Sequence, residues 1–299
     1  MASPRPWPFD DHDRPSGSVR PLSQTDLQAI LAHLDNDPDQ LLAGTGADRP
    51  VVAVRVRTSV GRPGGSAQDR WREMRAAEWA AWTRTLPWRV AAILGIGAAG
   101  GLLGSLLGPR LGLALGVLVA LAAGWRLRFR PSPDARAWRR GAVGERRTAR
   151  LLAGLERHGW AVLHDLAVAG SRANLDHLVI GPAGVFVIDS KQYCGRLRLD
   201  PSGRLWHGRY PLAPTLRAVS FEADQAALVL TDPDVVVVVV PIVAVHGAQV
   251  PWGKVVMDGV PVVAARRLPS MLRQLPAVLG PERVAGLADQ ARLRFHAAA

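Results

Sequence analysis

The sequence predicts an α/β domain in its C-terminal half, preceded by a two-helix transmembrane hairpin and a partly disordered N-terminal region. Three observations predict this order. Residues 1–20 are rich in proline and aspartate and lack an apolar period, whereas residues 90–124 contain a single charged residue, Arg110. Residues 141–299 alternate helical patterns with short apolar runs typical of strands. A chain of 299 residues is long enough for about two such domains.

Composition and charge exclude several classes of protein. Hydrophobic residues are 48% of the chain, and 30 Gly and 23 Pro occur without a Gly-X-Y period, which excludes bulk disorder and collagen. The single cysteine, Cys194, cannot form an intrachain disulfide or a cysteine-based zinc site, and it favours an intracellular location. The net charge is +12, with the excess concentrated after residue 130, so a polyanion is a plausible partner. The sequence contains no Walker-type loop or dinucleotide fingerprint.

The N-terminal region, residues 1–67, shows no motif that carries chemistry. Its polar start is not a signal peptide, Ser23 caps a predicted short helix, and residues 51–56 alternate weakly like a strand. Residues 68–89 predict a juxtamembrane helix. Three tryptophans are the expected interfacial anchors: Trp82, Trp88 and Trp125.

Residues 90–127 predict a transmembrane helical hairpin. The Gly108-Pro109-Arg110 sequence breaks the apolar run into residues 90–108 and 111–127, each about long enough to span a bilayer. The positive-inside rule places both ends of the hairpin in the cytoplasm, so the protein would lie in the cytoplasmic membrane. The alternative is a buried soluble hairpin. The flanking arginines are Arg84, Arg89, Arg126, Arg128, Arg130, Arg139 and Arg140.

Glycines recur at helical spacing in the first half of this hairpin. Small residues four apart allow close approach of membrane helices and indicate a packing face. Chance spacing in a chain rich in Gly and Ala explains the pattern equally well. The glycines are Gly97, Gly100, Gly101, Gly104 and Gly108.

A β-hairpin is predicted at the start of the C-terminal domain. Gly144 opens a helical stretch, residues 161–166 form a short strand, and apolar runs at 175–180 and 185–188 flank a Gly-Pro-Ala-Gly turn. If a four-residue loop joins the last two strands directly, the numbers of paired residues sum to 365.

This register places Asp176 opposite Asp189, with Lys191 on the same face. Two opposed carboxylates repel each other, and a divalent cation removes the conflict. Mg²⁺ bound there, with a lysine that orients or helps to deprotonate water, would hydrolyse phosphodiesters. Lys191 is one of only two lysines in the chain, beside Lys254. The alternative is an ordinary lysine at a strand end.

The ordered motifs of residues 138–245 resemble the NERD (nuclease-related domain) family. They are Gly144-Glu145, Asn174-Leu175-Asp176-His177, the segment from Gly181 to Lys191, Gly195 and Gln225. That family is placed with the PD-(D/E)xK, restriction-endonuclease-like nucleases. The resemblance implies an αβββαβ core with Asp176, Asp189 and Lys191 as the catalytic trio. It also implies Glu145 as a further metal or water ligand and Gln225 as a supporting residue. The second acid is Asp where Glu is common, which requires a closer approach to the metal.

For other polar residues of this domain, a functional and a structural role are both considered. His177 points away from Asp176 and is favoured as a hydrogen-bonded core residue over a catalytic base. Cys194 is an inert thiol rather than a nucleophile, and His207 either approaches nucleic acid or has no function. Arginines spaced around Trp206 and Tyr210 either contact phosphates or form a solvated face. They are Arg196, Arg198, Arg204 and Arg209. The same choice applies to Arg139, Arg140, Arg146, Arg147 and Arg150, and attraction to the membrane surface is a third option for Arg139 and Arg140.

The last segment, residues 246–299, is predicted to complete the domain. Before it, the valine run 235–240 predicts a buried central strand. An Asp-Gly turn joins predicted strands at 255–257 and 260–264. Helices are predicted at 269–279 and 282–296.

The leading hypothesis is a membrane-anchored, cytoplasm-facing nuclease that uses Mg²⁺ or Mn²⁺. Asp176, Asp189 and Glu145 would hold the metal, and DNA is favoured over RNA as substrate. The first alternative is a catalytically silent NERD module that binds nucleic acid or acts as a membrane-tethered scaffold. The second is a structural membrane protein whose soluble domain recruits only protein partners.

Overall fold

A computed structural model describes residues 61–168, 171, 174–232 and 236–298. The short helix predicted after Ser23 and the strand predicted at 51–56 lie outside these residues. The described chain divides into two units. Gly65–Val143 form a helical unit, and the residues from Gly144 onward form an α/β unit together with residues 61–64.

The helical unit begins with α1 (Gly65–Arg84), α2 (Leu86–Ser105) and α3 (Pro109–Leu127). The juxtamembrane helix therefore ends at Arg84 rather than at residue 89. Pro87 lies in the first turn of α2, where its missing N–H costs nothing, and this starts a new helix. A fourth helix, α4 (Pro133–Leu152), begins in this unit and continues into the next. It starts eleven residues before the predicted Gly144, because the Ser132 hydroxyl accepts a hydrogen bond from the Ala135 N–H and caps it.

Helices α2 and α3 are largely apolar, with charged residues only at Arg89, Arg110 and Arg126, and they expose most of their length. The most apolar 18-residue window of each has a mean hydropathy of 1.5, and only 6% of it is buried. Both helices are long and apolar enough to cross a membrane, by length and composition. The large apolar side chains that face outward include Leu94, Leu102, Leu113, Leu118 and Leu121.

The predicted glycine face packs within the hairpin itself. A Cβ on Gly112 would lie 2.8 Å from the Gly101 carbonyl oxygen, and one on Gly116 would lie 2.9 Å from the Gly97 carbonyl oxygen. Only glycine allows the two backbones to approach this closely. The predicted small-residue face thus joins α2 to α3, whereas Gly108 has open space around it.

The α/β unit contains a mixed sheet flanked by helices. After α4 come β1 (Ala161–Ala167), β2 (Asn174–Gly181), β3 (Gly184–Leu199), β4 (Leu205–His207), β5 (Tyr210–Pro211) and α5 (Ala213–Leu230). Then follow β6 (Val239–Gln249), β7 (Lys254–Met257), β8 (Val260–Ala264), α6 (Leu268–Gln274), α7 (Pro281–Arg294) and β9 (His296–Ala297).

Two short strands aside, this order contains a helix, three strands, a helix and a strand, as the resemblance implied. Strands β1, β2 and β3 pair antiparallel, and β6 returns parallel to β3 after α5. The path across the sheet is β7-β8-β6-β3-β2-β1-β9, and β4 pairs with the C-terminal end of β3.

The two faces of the sheet bury separate apolar clusters. Helices α5 and α7 cover one face, on which Leu178 and Val187 lie. The end of α4 and α6 cover the other face, on which Phe186 and Ile188 lie. Since neighbouring residues of a strand point to opposite faces, the buried apolar residues of β3 from Val185 to Ile188 alternate between the two clusters.

Three predicted boundaries are corrected. The valine-rich strand begins at Val239, because Val236 and Val238 are exposed and only Val237 between them is buried. Helix α6 stops at Gln274, short of the predicted residue 279, because Leu275 is extended. Helix α7 stops at Arg294, where the extended Phe295 leads into β9.

Candidate active site

The hairpin of β2 and β3 has the predicted register with a shorter turn. His177 pairs with Ile188 and Gly181 pairs with Gly184, so the numbers of paired residues sum to 365 and the loop has two residues rather than four. Asp176 and Asp189 occupy the next opposed positions beyond this ladder. The Ser190 N–H donates a 2.8 Å hydrogen bond to Asp176 Oδ2, which ties the first carboxylate to the strand of the second.

Lys191 pairs with the second carboxylate. Its Nζ lies 2.6 Å from Asp189 Oδ1, and the Asp189 side chain is 7% exposed against 35% for Lys191. Burial alone would lower the pKa of the Lys191 ammonium, but the carboxylates of Asp189 and Asp176 raise it well above its ordinary value. Lys191 is therefore a cation in this arrangement, suited to donating hydrogen bonds to an anion or a water molecule.

Glu145 reaches the same charges from helix α4. Its side chain is buried. Burial, followed by repulsion from Asp165 and Asp189, raises the pKa of Glu145 to about 7. The helix can approach β3 because Gly144 has no side chain: a Cβ there would lie 3.3 Å from the Cβ of Gln192. The motif glycine thus places the glutamate beside the carboxylates of the sheet.

Asp176 feels the same repulsion. Burial, then the charges of Glu145 and Asp189, raise the pKa of Asp176 well above its ordinary value. These shifts have one physical origin, since several carboxylates share a site from which water is largely removed. We call Glu145, Asp176 and Asp189 the acid cluster.

Two further acids adjoin this cluster and were not singled out from the sequence. Asp165 is buried on β1, with a left-handed backbone at φ 51°. The β1–β2 register, with paired numbers that sum to 341, places it level with Asp176. Glu222 lies on α5, and burial followed by repulsion from Asp189 raises its pKa to about 8. Asp165 and Glu222 share one feature: each adds a carboxylate to a site that already holds several acids and one lysine, Lys191.

The donor set fits a hard divalent cation. Among residues 61–168, 171, 174–232 and 236–298, no three His, Cys, Asp or Glu side chains converge as a ready-made metal site. Mg²⁺ does not require one, because it commonly binds through one or two carboxylates and completes its shell with waters and substrate phosphates. Carboxylates whose repulsion raises their pKa values are the groups that such a cation would stabilise as anions.

The opposite face of the sheet carries a chain of polar groups that are fully hydrogen-bonded to one another. His164 Nδ1 lies 2.7 Å from His177 Nδ1, and His177 Nε2 lies 3.1 Å from Ser190 Oγ. The Ser190 hydroxyl donates to Thr148 Oγ1 at 2.7 Å, and Thr148 Oγ1 lies 2.8 Å from His246 Nε2. We call these five residues the imidazole–hydroxyl chain. It joins β1, β2, β3, α4 and β6.

Neutral imidazoles satisfy every link of this chain. A neutral imidazole offers one donor and one acceptor, so one hydrogen per link suffices along the whole chain. Burial lowers the pKa of His164 to about 4, and burial followed by the charge of His164 lowers that of His177 well below its ordinary value. The preference for His177 as a hydrogen-bonded core residue agrees with its complete burial.

The four arginines proposed for nucleic-acid contact lie around β4 and are exposed. Arg198 is paired across the ladder with Trp206, and its Nη2 donates to the Gly208 carbonyl at 2.9 Å. Arg204 Nε donates to Ser202 Oγ at 2.9 Å. The remaining two are Arg196 on β3 and Arg209 in the β4–β5 turn.

The other predicted residues lie outside the acid cluster. Gln225 lies on α5, and no hydrogen bond in the described part of the chain joins it to an acid of the cluster. His207 stacks on Tyr193 with ring centroids 4.3 Å apart, and its Nε2 lies 2.9 Å from the Cys194 carbonyl oxygen. Cys194 itself is exposed. Arg147 Nη1 donates to Gln192 Oε1 at 3.0 Å, which joins α4 to β3.

Comparison with known proteins gives two matches. Residues 140–238 match the family described as "Nuclease-related domain" (NERD). An uncharacterized protein of Bacillus anthracis is 37% identical over 70 residues, which are 22% of this chain and 33% of that protein. The chain thus matches about a third of the length of this relative. No solved structure matches the chain.

Proposed function

We propose that the α/β unit is a metal-dependent nuclease with a restriction-endonuclease-like core. The observation that carries this proposal is the meeting of Glu145, Asp176 and Asp189 with Lys191 in one largely buried site. A purely structural sheet gains nothing from carboxylates that raise one another's pKa values. The match of residues 140–238 to the nuclease-related domain supports a nuclease-related activity.

Each residue of the site has a distinct role in this proposal. Asp176, Asp189 and Glu145 would hold Mg²⁺ or Mn²⁺, and the metal would supply Lewis-acid stabilisation of the phosphate and activation of water. Lys191 donates hydrogen bonds to a phosphate oxygen or to the attacking water, as its cationic state permits. The Ser190 N–H fixes the orientation of the Asp176 carboxylate.

We propose that nucleic acid, with DNA before RNA, is the substrate. The basic excess of the chain after residue 130 favours a polyanion. Exposed Arg196, Arg198 and Arg209 lie near the exposed ring of Tyr210, a combination that suits phosphates and bases together.

We also propose that α2 and α3 anchor the enzyme in the cytoplasmic membrane, with both ends of the hairpin in the cytoplasm. Two features support this. The helices expose their apolar surface instead of burying it, unlike core helices of soluble proteins. At their base, the guanidinium groups of Arg128 and Arg130 lie 4.5 and 5.0 Å from the ring centroid of Trp125, as in an interfacial belt.

A catalytically silent module that binds nucleic acid is the second candidate. One observation favours it: the Lys191 ammonium is bound to Asp189 Oδ1, an oxygen that a metal would use. Such a module would depend on its arginines and would require no metal.

One experiment separates the two candidates. The full chain in detergent or nanodiscs is incubated with circular DNA, linear DNA or RNA in the presence of Mg²⁺, Mn²⁺ or chelator, beside Lys191→Ala and Asp176→Asn. The nuclease requires cleavage that depends on metal and is lost in both variants. The matched control is Glu156→Gln, an exposed acid outside the cluster, which should cleave normally. Folded protein that binds nucleic acid without cleaving it contradicts the nuclease and selects the binding module.

A further inference from the structure

The loops that follow β6 and β8 form a basic surface that the proposed active site does not use. The turn Pro251–Gly253 follows β6, and the helical turn Ala265–Arg267 follows β8. Because β3, β6 and β8 run parallel, these loops lie at the same edge of the sheet, where open α/β sheets bind their ligands. We call these two turns, with Lys254, the carboxyl-edge surface.

The charge of this surface has one sign. Residues 246–270 contain Lys254, Arg266 and Arg267, and their only acid is Asp258. Asp258 lies in the turn between β7 and β8, at the other end of those strands. Arg266 and Arg267 are exposed. The surface therefore suits an anionic ligand.

Trp252 presents an exposed indole in the middle of this surface. Its side chain is 55% exposed, and its backbone is left-handed at φ 52° and ψ 9°. A large non-glycine residue in this region of the backbone is strained, and such strain persists only where surrounding contacts maintain it. Here the Gly253 N–H donates to the Val250 carbonyl at 2.8 Å, which closes the turn.

Arg267 is held against the backbone of the turn that carries Trp252. Its Nη1 donates a 3.0 Å hydrogen bond to the Trp252 carbonyl. Its guanidinium lies over Gly253, so close that a Cβ on that glycine would be 2.5 Å from Arg267 Cζ. A guanidinium fixed on the same turn as an exposed aromatic ring suits contact with one phosphate and one base of a nucleic-acid strand.

The sheet register connects this surface to the acid cluster. Lys191 is level with Val245 of β6 and Ala264 of β8, and Arg267 follows three residues later. Two strand spacings separate β3 from β8, or about 10 Å across the sheet. On the same edge, Arg196 of β3 pairs with Gln249, three residues before Trp252.

We propose that Trp252, Arg266 and Arg267 form a binding site for unpaired nucleotides of the nucleic acid that reaches the acid cluster. Trp252 stacks on a base, and the two arginines bind the flanking phosphates. The proposal rests on the proposed function, because it assigns a further part of the same substrate path. The bases inside a blunt duplex are already stacked on their neighbours, so the site favours single strands or frayed ends.

The test measures binding and not cleavage. The full chain in detergent and chelator is titrated with a fluorescent oligothymidylate of about 20 nucleotides, and separately with a blunt duplex of the same length. The key variant is Trp252→Gly, because glycine accepts the left-handed backbone and the variant therefore keeps the turn. Trp252→Phe keeps an aromatic ring, and Phe221→Ala removes an exposed ring from α5 as the matched control.

We expect Trp252→Gly to weaken single-strand binding about tenfold, while Trp252→Phe stays within about threefold and Phe221→Ala equals the parent. Duplex binding should change much less. Arg266→Gln and Arg267→Gln should each lower the slope of log affinity against log salt by about one.

Unchanged single-strand affinity in Trp252→Gly overturns the site, and an equal loss for duplex and single strand overturns base stacking. Cleavage assays are scored separately. Metal-dependent cleavage with normal binding by Trp252→Gly rejects this site but keeps the nuclease. Site-dependent binding without any cleavage keeps the site and rejects the nuclease.

Discussion

The two faces of strand β3 carry different kinds of buried polar groups at the same level of the sheet: carboxylates that repel one another on one face, and hydrogen-bonded groups on the other. On one face, Asp189 lies opposite Asp176, and burial, together with repulsion among these two acids and Glu145 of α4, raises the pKa values of Asp176 and Glu145. On the other face, Ser190 joins His177 to Thr148 through hydrogen bonds of 3.1 and 2.7 Å. Adjacent residues of one strand thus belong to an electrostatically unsatisfied cluster and to a fully paired one.

The contrast indicates which polar group stabilises the fold and which is reserved for a ligand. A buried network in which every donor has an acceptor lowers the energy of the folded state and specifies the packing. Buried carboxylates that repel one another raise that energy, and a bound cation or substrate can offset their repulsion. Removing a member should therefore have opposite effects on the two faces.

The largest expected effect is on activity, from Asp176→Asn. This change removes one charge from the acid cluster and keeps the volume and the acceptor for the Ser190 N–H. Metal-dependent cleavage should fall at least about 100-fold, whereas thermal stability in chelator should stay equal or rise because repulsion is relieved. Initial rates and a thermal unfolding scan check both parts. A parallel loss of stability and activity would remove the distinction between the faces.

The next effect is on stability, from Ser190→Ala. Losing this hydroxyl leaves His177 and Thr148 without their shared partner inside the protein. The free energy of unfolding of the α/β unit should fall by about 1–3 kcal/mol, the cost of buried polar groups left unpaired. Hydrogen-exchange protection of β2 and β3 amides reports it. Ser270→Ala, which removes an exposed hydroxyl, is the control, and equal protection in both variants would argue against the chain as a stabilising network.

Sequence reasoning could find the β2–β3 part of this site because a tight turn fixes the register of both strands. Asp176, Asp189 and Lys191 follow from that register alone. Asp165 and Glu222 do not. Asp165 pairs across a longer connection whose register no turn signal fixes, and Glu222 approaches from a helix far along the chain. Alternation also separates His177 from Asp176, but nothing in the sequence pairs Ser190 with Thr148 or Thr148 with His246.

A third expected effect concerns pH and uses Glu222→Gln. The pKa of Glu222 is raised from 4.5 to about 8 by burial and by Asp189, so its contribution to stability is full below about pH 4.5 and is lost as pH rises through about 8. In chelator, Glu222→Gln should stabilise the protein by about 1–2 kcal/mol at pH 8.5, after a discount for its partial exposure. At pH 4.5 the two proteins should unfold alike.

Urea unfolding at both pH values measures this difference. Glu156→Gln, an exposed acid, supplies the baseline. Mg²⁺ should reduce the gain at pH 8.5, because a bound cation offsets the repulsion that the substitution relieves. A gain of equal size at both pH values would show that Glu222 is not part of the acid-cluster electrostatics.

The smallest expected effect lies at the open end of the imidazole–hydroxyl chain, from His246→Gln. His246 is half-buried, and water can replace its hydrogen bond to Thr148, so the loss at pH 8 should be only about 0.5 kcal/mol. Burial, and then the charge of Arg147, lower the pKa of His246. Its stabilising contribution is therefore present above pH 6.5 and is lost as pH falls. The difference between parent and variant should shrink as pH falls below 6.5.

Together with Ser190→Ala, this variant tests whether the loss of unfolding free energy is larger at the more buried positions of the imidazole–hydroxyl chain. Loss of Ser190 takes one hydrogen-bond partner from each of two fully buried residues, His177 and Thr148. Loss of the half-buried His246 affects one neighbour, Thr148, which keeps its bond to Ser190. Urea unfolding of both variants at pH 8 should rank Ser190→Ala well above His246→Gln. The reverse order would mean that the half-buried end of the imidazole–hydroxyl chain contributes more to stability than its buried middle. The contrast between the two faces of β3 would then be weaker than their hydrogen bonds indicate.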